Sequence, residues 1–127
     1  MKHILFIALV LIFLLSACGS APDLQVSNSQ KAIEVNAGKE FNIVLEANPT
    51  TGYHWAIVGE LDSNVVGFVK NDYTSTSDSN LVGGGGVEVW VFKALNAGET
   101  QITLGYYPPS NDPVDPQQTV TFTIIVK

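Results

Sequence analysis

Beyond residue 18 the apolar residues recur at every second position, and helix-like spacing is absent. Phe41, Ile43, Leu45 and Ala47 share one face of an extended segment, with Asn42, Val44 and Glu46 between them. Ile102, Leu104 and Tyr106 repeat the pattern. So do Val120, Phe122, Ile124 and Val126, separated by Thr121, Thr123 and Ile125. Val87, Val89 and Val91 alternate with Glu88, Trp90 and Phe92, which predicts a strand partly buried on both faces. Together with Lys31–Val35, Tyr53–Val58 and Val65–Val69, the pattern predicts about seven strands separated by turn signals. The expected architecture is all-β, an immunoglobulin-like antiparallel β-sandwich.

A weak internal echo sets the order of the turns. Asn36-Ala37-Gly38-Lys39 and Asn96-Ala97-Gly98-Glu99 each precede an alternating segment, and both read as tight turns with glycine supplying a positive φ. If successive strands run antiparallel, these two turns share one end of the sandwich. The connections Asn48–Gly52, about Asn71 to Gly86, and Tyr107–Gln118 then gather at the other end. Immunoglobulin domains present their binding loops in this way.

The N-terminus has a different character. Lys2 and His3 precede Ile4 to Leu15, an unbroken run of 12 apolar residues. At about 1.5 Å per residue the run spans roughly 18 Å, short of a ~30 Å hydrocarbon core, and reads as a signal-peptide h-region. It ends in Leu15-Ser16-Ala17-Cys18-Gly19, which resembles the lipobox of bacterial lipoproteins: small residues fit the peptidase pocket, and the Cys18 thiol becomes the thioether that carries the lipid. The expected organisation is a lipoprotein signal peptide over 1–17, a lipidated Cys18 and linker over 18–29, and one folded domain over 30–127. Several acyl chains on one residue anchor stably, which predicts an extracytoplasmic protein tethered to the membrane of the cell envelope.

Composition removes several function classes. The net charge is −6, with 12 acidic residues against 6 basic ones, and there is no arginine. Such a chain has no electrostatic footprint for nucleic acid. A zinc site needs about three or four protein ligands. Cys18 and His54, the one histidine beyond the leader, cannot supply it. No disulfide is available, and neither a metal nor a cofactor is expected. His54 lies between Tyr53 and Trp55, so in a strand it faces opposite to both and reads as a surface or packing residue. Catalysis would need a nucleophile and an acid converging on it, and none is identifiable. Asp112 and Asp115, or Asp72 and Asp78, match no EF-hand spacing and read as solvated loop charges.

The candidate chemistry therefore lies in the gathered loops. In Asn48-Pro49-Thr50-Thr51-Gly52-Tyr53, Pro49 fixes φ, Gly52 permits a left-handed bend, and two threonines stand at the apex, with Tyr53 and Trp55 packing below. Gly83-Gly84-Gly85-Gly86 allows close backbone approach to a partner. Tyr106 to Pro116 contains four of the six prolines, which stiffens a protruding segment.

In this order, the loops resemble those of chagasin-type inhibitors of papain-like cysteine peptidases. That family has an NPTTG(Y/F) loop, a GxGG loop and an Arg-Pro-Trp/Phe-like loop on an immunoglobulin-like sandwich. Asn48, Pro49, Thr50, Thr51, Gly52 and Tyr53 match the first motif at every position, and Gly83, Gly85 and Gly86 match the second, with Gly84 at its free position. The third departs: Pro108-Pro109-Ser110 keeps the central proline but lacks the cation and the large aromatic.

The resemblance implies a reversible, non-covalent inhibitor that inserts three loops into the peptidase cleft. Thr51 would lie against the catalytic cysteine and histidine, and Gly85 and Gly86 would donate backbone hydrogen bonds along one side. Tyr107, Pro108 and Pro109 would grip the other side, and the inhibitor would act as a monomer. The altered third motif also suits another reading, an extracytoplasmic interaction lipoprotein that holds a non-peptidase surface protein.

Overall fold

The computed structural model describes residues 24–76 and 84–127. The leader, Cys18 and Gly83 lie outside the described residues. The strands are β1 (Leu24–Val26), β2 (Ile33–Val35), β3 (Glu40–Ala47), β4 (His54–Ile57), β5 (Val66–Ser75), β6 (Gly86–Ala94), β7 (Gly98–Tyr107) and β8 (Gln118–Val126). They form two four-stranded sheets, ordered β1-β3-β6-β5 and β2-β8-β7-β4. The period-two pattern dictates this layering: Phe41 and Ile43 face the same interior as Trp90 and Phe92, their partners in register. Phe41, Phe92 and Phe122 are fully buried with Ile43, Ile102, Leu104 and Ile124, and the Phe41 and Phe92 rings stack at 5.8 Å. Each such side chain contributes roughly 2 kcal/mol of hydrophobic stabilisation. Val91, on the opposite face of β6, is also buried, as the double alternation of that segment predicts.

The sandwich departs from the expected pattern in three places. The expected linker contains β1, which pairs with β3 in parallel, and β2 likewise pairs with β8 in parallel. The turn at Asn36–Lys39 therefore crosses from one sheet to the other and does not close a hairpin. The segment expected to end at Val69 runs on to Ser75 through a bulge between Phe68 and Lys70. A bulge and a charged side chain on an edge strand both discourage pairing with other chains. Finally, the two Asn-Ala-Gly turns differ. Gly38 has φ +84°, but Gly98 does not adopt a positive φ, and its requirement is space: a Cβ there would meet Val65 at 3.1 Å.

The ends of the sandwich are distinct. At one end the Gly38 amide donates to the Ala94 carbonyl, and an exposed Lys127–Glu34 ion pair at 2.7 Å joins β8 to β2. An exposed pair of this kind adds little stability. The other end carries the connections that follow β3, β5 and β7.

Candidate functional site

The register brings the three connections together. Ala47 and Ser75 both pair with Gly86, His54 pairs with Tyr107, and Tyr106 pairs with Gln118. Connections 48–53, 76–85 and 108–117 therefore leave the sandwich at one end, as strand alternation predicts.

The first connection is the most tightly built. Pro49–Thr51 forms one 3-10 turn, with Pro49 at its start and Gly52 closing it at φ +80°. The Thr51 amide donates to the Asn48 carbonyl at 3.2 Å, and the Gly52 amide donates to the Pro49 carbonyl at 3.1 Å. The Thr51 hydroxyl donates to the same Asn48 carbonyl at 2.6 Å, and the Thr50 hydroxyl donates to Asn48 Oδ1. Both hydroxyls thus stiffen the bend while their residues remain exposed. Asn48 is the hub, a role that an Asn before a turn proline permits because its short side chain folds back on the local backbone.

Beneath this turn lies an aromatic stack. Tyr53 and Tyr106 stack at 5.1 Å, and Trp55 tilts against Tyr106 at 4.9 Å. Trp55 is buried, and its Nε1–H donates to the Glu46 carbonyl at 2.9 Å, fastening β4 to the end of β3 in the opposite sheet. Tyr53 and Trp55 therefore pack below the loop, as their spacing predicts. His54 is exposed on the other face, where its ring stacks on Tyr107 at 5.9 Å.

In the second connection, Thr76 joins Gly85 through two bonds to the Gly85 carbonyl, from the Thr76 amide at 3.3 Å and the hydroxyl at 3.2 Å. Gly86 is buried, and the Thr74 carbonyl and the Tyr73 phenol occupy the space that a Cβ would need. Its glycine is therefore required by packing at the foot of the loop, which the motif alone does not reveal. Gly85 is exposed, beside the Ala47 carbonyl.

The third connection holds Pro108 half-buried and Pro109 and Ser110 exposed. Ser110 Oγ donates to the Asp112 carbonyl and accepts from the Asp112 amide, closing a local turn. Pro109 lies directly against Gly52 of the first connection.

Near this end, Glu88 is half-buried on the interior-facing side of β6 and accepts from Trp90 Nε1–H at 3.0 Å. Burial raises its carboxyl above the usual 4.5, opposed by that hydrogen bond and by the nearby His54. The folded protein then holds this proton more tightly than the unfolded chain. Glu88 therefore favours folding in acid, and the contribution is lost as pH rises from 4.5 through the raised folded value. Glu88→Gln is expected to raise the melting temperature at pH 7 and to flatten the decline with pH. Thermal melts of both proteins from acid to neutral pH check this, and a less stable variant at pH 7 contradicts it.

An open groove of about 940 Å³ lies at the root of the first connection, between Leu45, Ala47, Trp55, Tyr106 and Val120. Its described lining has no histidine or cysteine and one carboxylate, Glu46, so it offers no nucleophile–base pair. No three His, Cys, Asp or Glu residues are placed to hold a metal among the described residues.

Similarity to known proteins agrees with this geometry. The chain is 25% identical over 130 residues to Amoebiasin-2 of Entamoeba histolytica, with each chain covered completely. Its fold matches the crystal structure of the cysteine protease inhibitor EhICP2 from Entamoeba histolytica, with a TM-score of 0.65 and 22% identity, covering 82% of this chain and 95% of that one. It also matches PbICP-C, solved in complex with falcipain-2, with a TM-score of 0.58 and 20% identity, covering 83% and 98%. Residues 34–124 match the model of the chagasin family peptidase inhibitors, I42, and cover β3 to β7, most of β2 and β8, and all three connections. The chain belongs to the chagasin family, a family of peptidase inhibitors.

Proposed function

We propose that this chain inhibits papain-like cysteine peptidases reversibly, by seating its three gathered connections in the active-site cleft. The observation that carries this reading is the 3-10 turn at Pro49–Thr51, exposed at its crest and closed by Gly52 over a half-buried aromatic stack. Family membership and the Amoebiasin-2 and EhICP2 likenesses support the target class.

The geometry also accounts for obstruction without cleavage. A scissile bond must present its carbonyl to the nucleophile in a near-attack arrangement. Thr51 instead sits in a closed turn, its amide and hydroxyl both bonded to the Asn48 carbonyl. Opening the turn to reach an extended, cleavable form would break those bonds. The crest therefore fills the space before the nucleophile and offers no reactive carbonyl in line. Gly85 supplies exposed backbone on one side, and Tyr107 and Pro108 supply partly exposed surface on the other. Because the loops are pre-shaped, docking costs little ordering entropy.

The same proposal includes a monomeric inhibitor held outside the cytoplasm by a lipid on Cys18, resting on the lipobox-like Leu15–Gly19 sequence. Titrating papain with the protein tests the inhibitory function. Expected is a nanomolar, reversible loss of peptidase activity, with the inhibitor recovered uncut. Full activity of papain at micromolar inhibitor overturns the reading.

A further inference from the structure

The third connection lacks the cation and large aromatic of its family motif, yet its proline occupies a telling place. A Cβ built on Gly52 would lie 3.0 Å from Pro109 Cβ, 3.2 Å from Cγ and 3.8 Å from Cδ. Glycine at position 52 thus meets two demands: the left-handed φ of +80°, and the close approach of a proline from another loop. The strands that launch the two loops are locked together on both faces. His54 pairs with Tyr107 and stacks on it, while Tyr53 stacks on Tyr106 within the sandwich. Beyond Pro109, the Ser110 hydroxyl is engaged with Asp112 of its own loop.

We infer that Pro109 is a positioning residue, which acts on the peptidase through the first connection by holding Gly52 and so the Thr51 crest. Its ring buttresses the backbone of the wedge from the side. The rigid φ of proline makes it an effective prop, because the supporting atoms are themselves fixed to the main chain. In this chain the third connection stiffens the inhibitory turn, which offsets the loss of contacts that an arginine and a tryptophan would make with the cleft. The inference rests on the proposed function and deepens it.

A double-substitution cycle on the whole protein tests it. Pro109→Gly removes the prop and is expected to weaken papain inhibition about tenfold by leaving the turn less ordered before docking. Pro109→Ala keeps the Cβ nearest Gly52, so inhibition should stay within about threefold of the parent. Gly52→Ala suffers both from φ and from the collision with Pro109. Its penalty should shrink about three- to tenfold when Pro109 is already glycine, because one of the two causes has been removed. Leu95, exposed between β6 and β7 at the opposite end of the sandwich, provides a control whose Leu95→Ala variant should stay within about twofold.

Amide exchange in the free inhibitor gives a readout independent of any peptidase. The Thr51 and Gly52 amides should exchange faster in Pro109→Gly than in the parent. Penalties that simply multiply overturn the inference, and so does unchanged exchange at those two amides. A parent protein that fails to inhibit papain refutes the proposed function instead, and the exchange comparison still judges the prop.

Discussion

Thr51→Trp is expected to weaken inhibition of papain a hundredfold or more, while the melting temperature moves by less than about 4 °C. Thr51 is exposed at the crest, and the bonds described for it stay within the first connection, to the Asn48 carbonyl and from the Tyr53 amide. Substitution at such a position usually changes stability by about 0.5 kcal/mol or less. In a domain of this size that corresponds to roughly 2–4 °C. At the centre of an interface, the same change places a large ring where a peptidase active site fits a threonine. Interface hot spots are worth about 2–4 kcal/mol, and each 1.4 kcal/mol is about tenfold in affinity. Inhibition constants and thermal melts of the same samples check the two halves together. Unchanged potency would mean that the crest does not enter the cleft.

Trp55→Ala is expected to be the most damaging substitution to the fold. The residue is buried in the core, lies tilted against Tyr106 and donates to the Glu46 carbonyl from across the sandwich. Removing a buried tryptophan costs about 3–5 kcal/mol through lost packing and the cavity left behind. Loss of the part-buried hydrogen bond adds about 0.5–1.5 kcal/mol. Against a typical total of about 5–15 kcal/mol, that brings the domain close to unfolding at room temperature. Trp55→Phe separates the two contributions, because it keeps most of the ring and loses the Nε1–H. It should cost about 0.5–1.5 kcal/mol for the hydrogen bond, plus the smaller packing loss of the narrower ring. Urea unfolding followed by circular dichroism measures both variants. A loss below about 1 kcal/mol for Trp55→Ala would contradict the role assigned to this side chain.

Much of this architecture is visible in the sequence because its main signals are local. Alternation at Phe41–Ala47, Val87–Phe92 and Val120–Val126 reports burial within each strand, and strand alternation then gathers the loops. The first loop is similarly legible, since Pro49 and Gly52 restrict their own φ. Parity places His54 opposite Tyr53 and Trp55, on the surface where the structure has it.

What escapes the sequence depends on partners far along the chain. β1 is three residues long and is defined by pairing with Phe41–Ile43, so it has too little length to show a period. The extension of β5 through Lys70, Asn71 and Asp72 is polar because this edge strand is exposed from Phe68 onward. Composition there resembles that of a loop, and cross-strand hydrogen bonds decide otherwise. The space requirement at Gly98 is set by Val65, and that at Gly52 by Pro109, which no local rule anticipates. Within the site, the glycine motif hides the packing duty of Gly86, which is set by Tyr73 and Thr74 on the neighbouring strand. These are the residues whose chemistry becomes visible only once the sheets are assembled.

In the proposed inhibitor, residues 50–52 form a stiff plug seated against the peptidase nucleophile. A crystal structure of the protein bound to active papain measures this directly. Expected is Thr51 in van der Waals contact with the catalytic sulfur, about 4 Å away, with the 49–52 turn unopened and no covalent bond formed. A complex in which this turn faces solvent, or in which the chain has acylated the catalytic cysteine of papain, would contradict it.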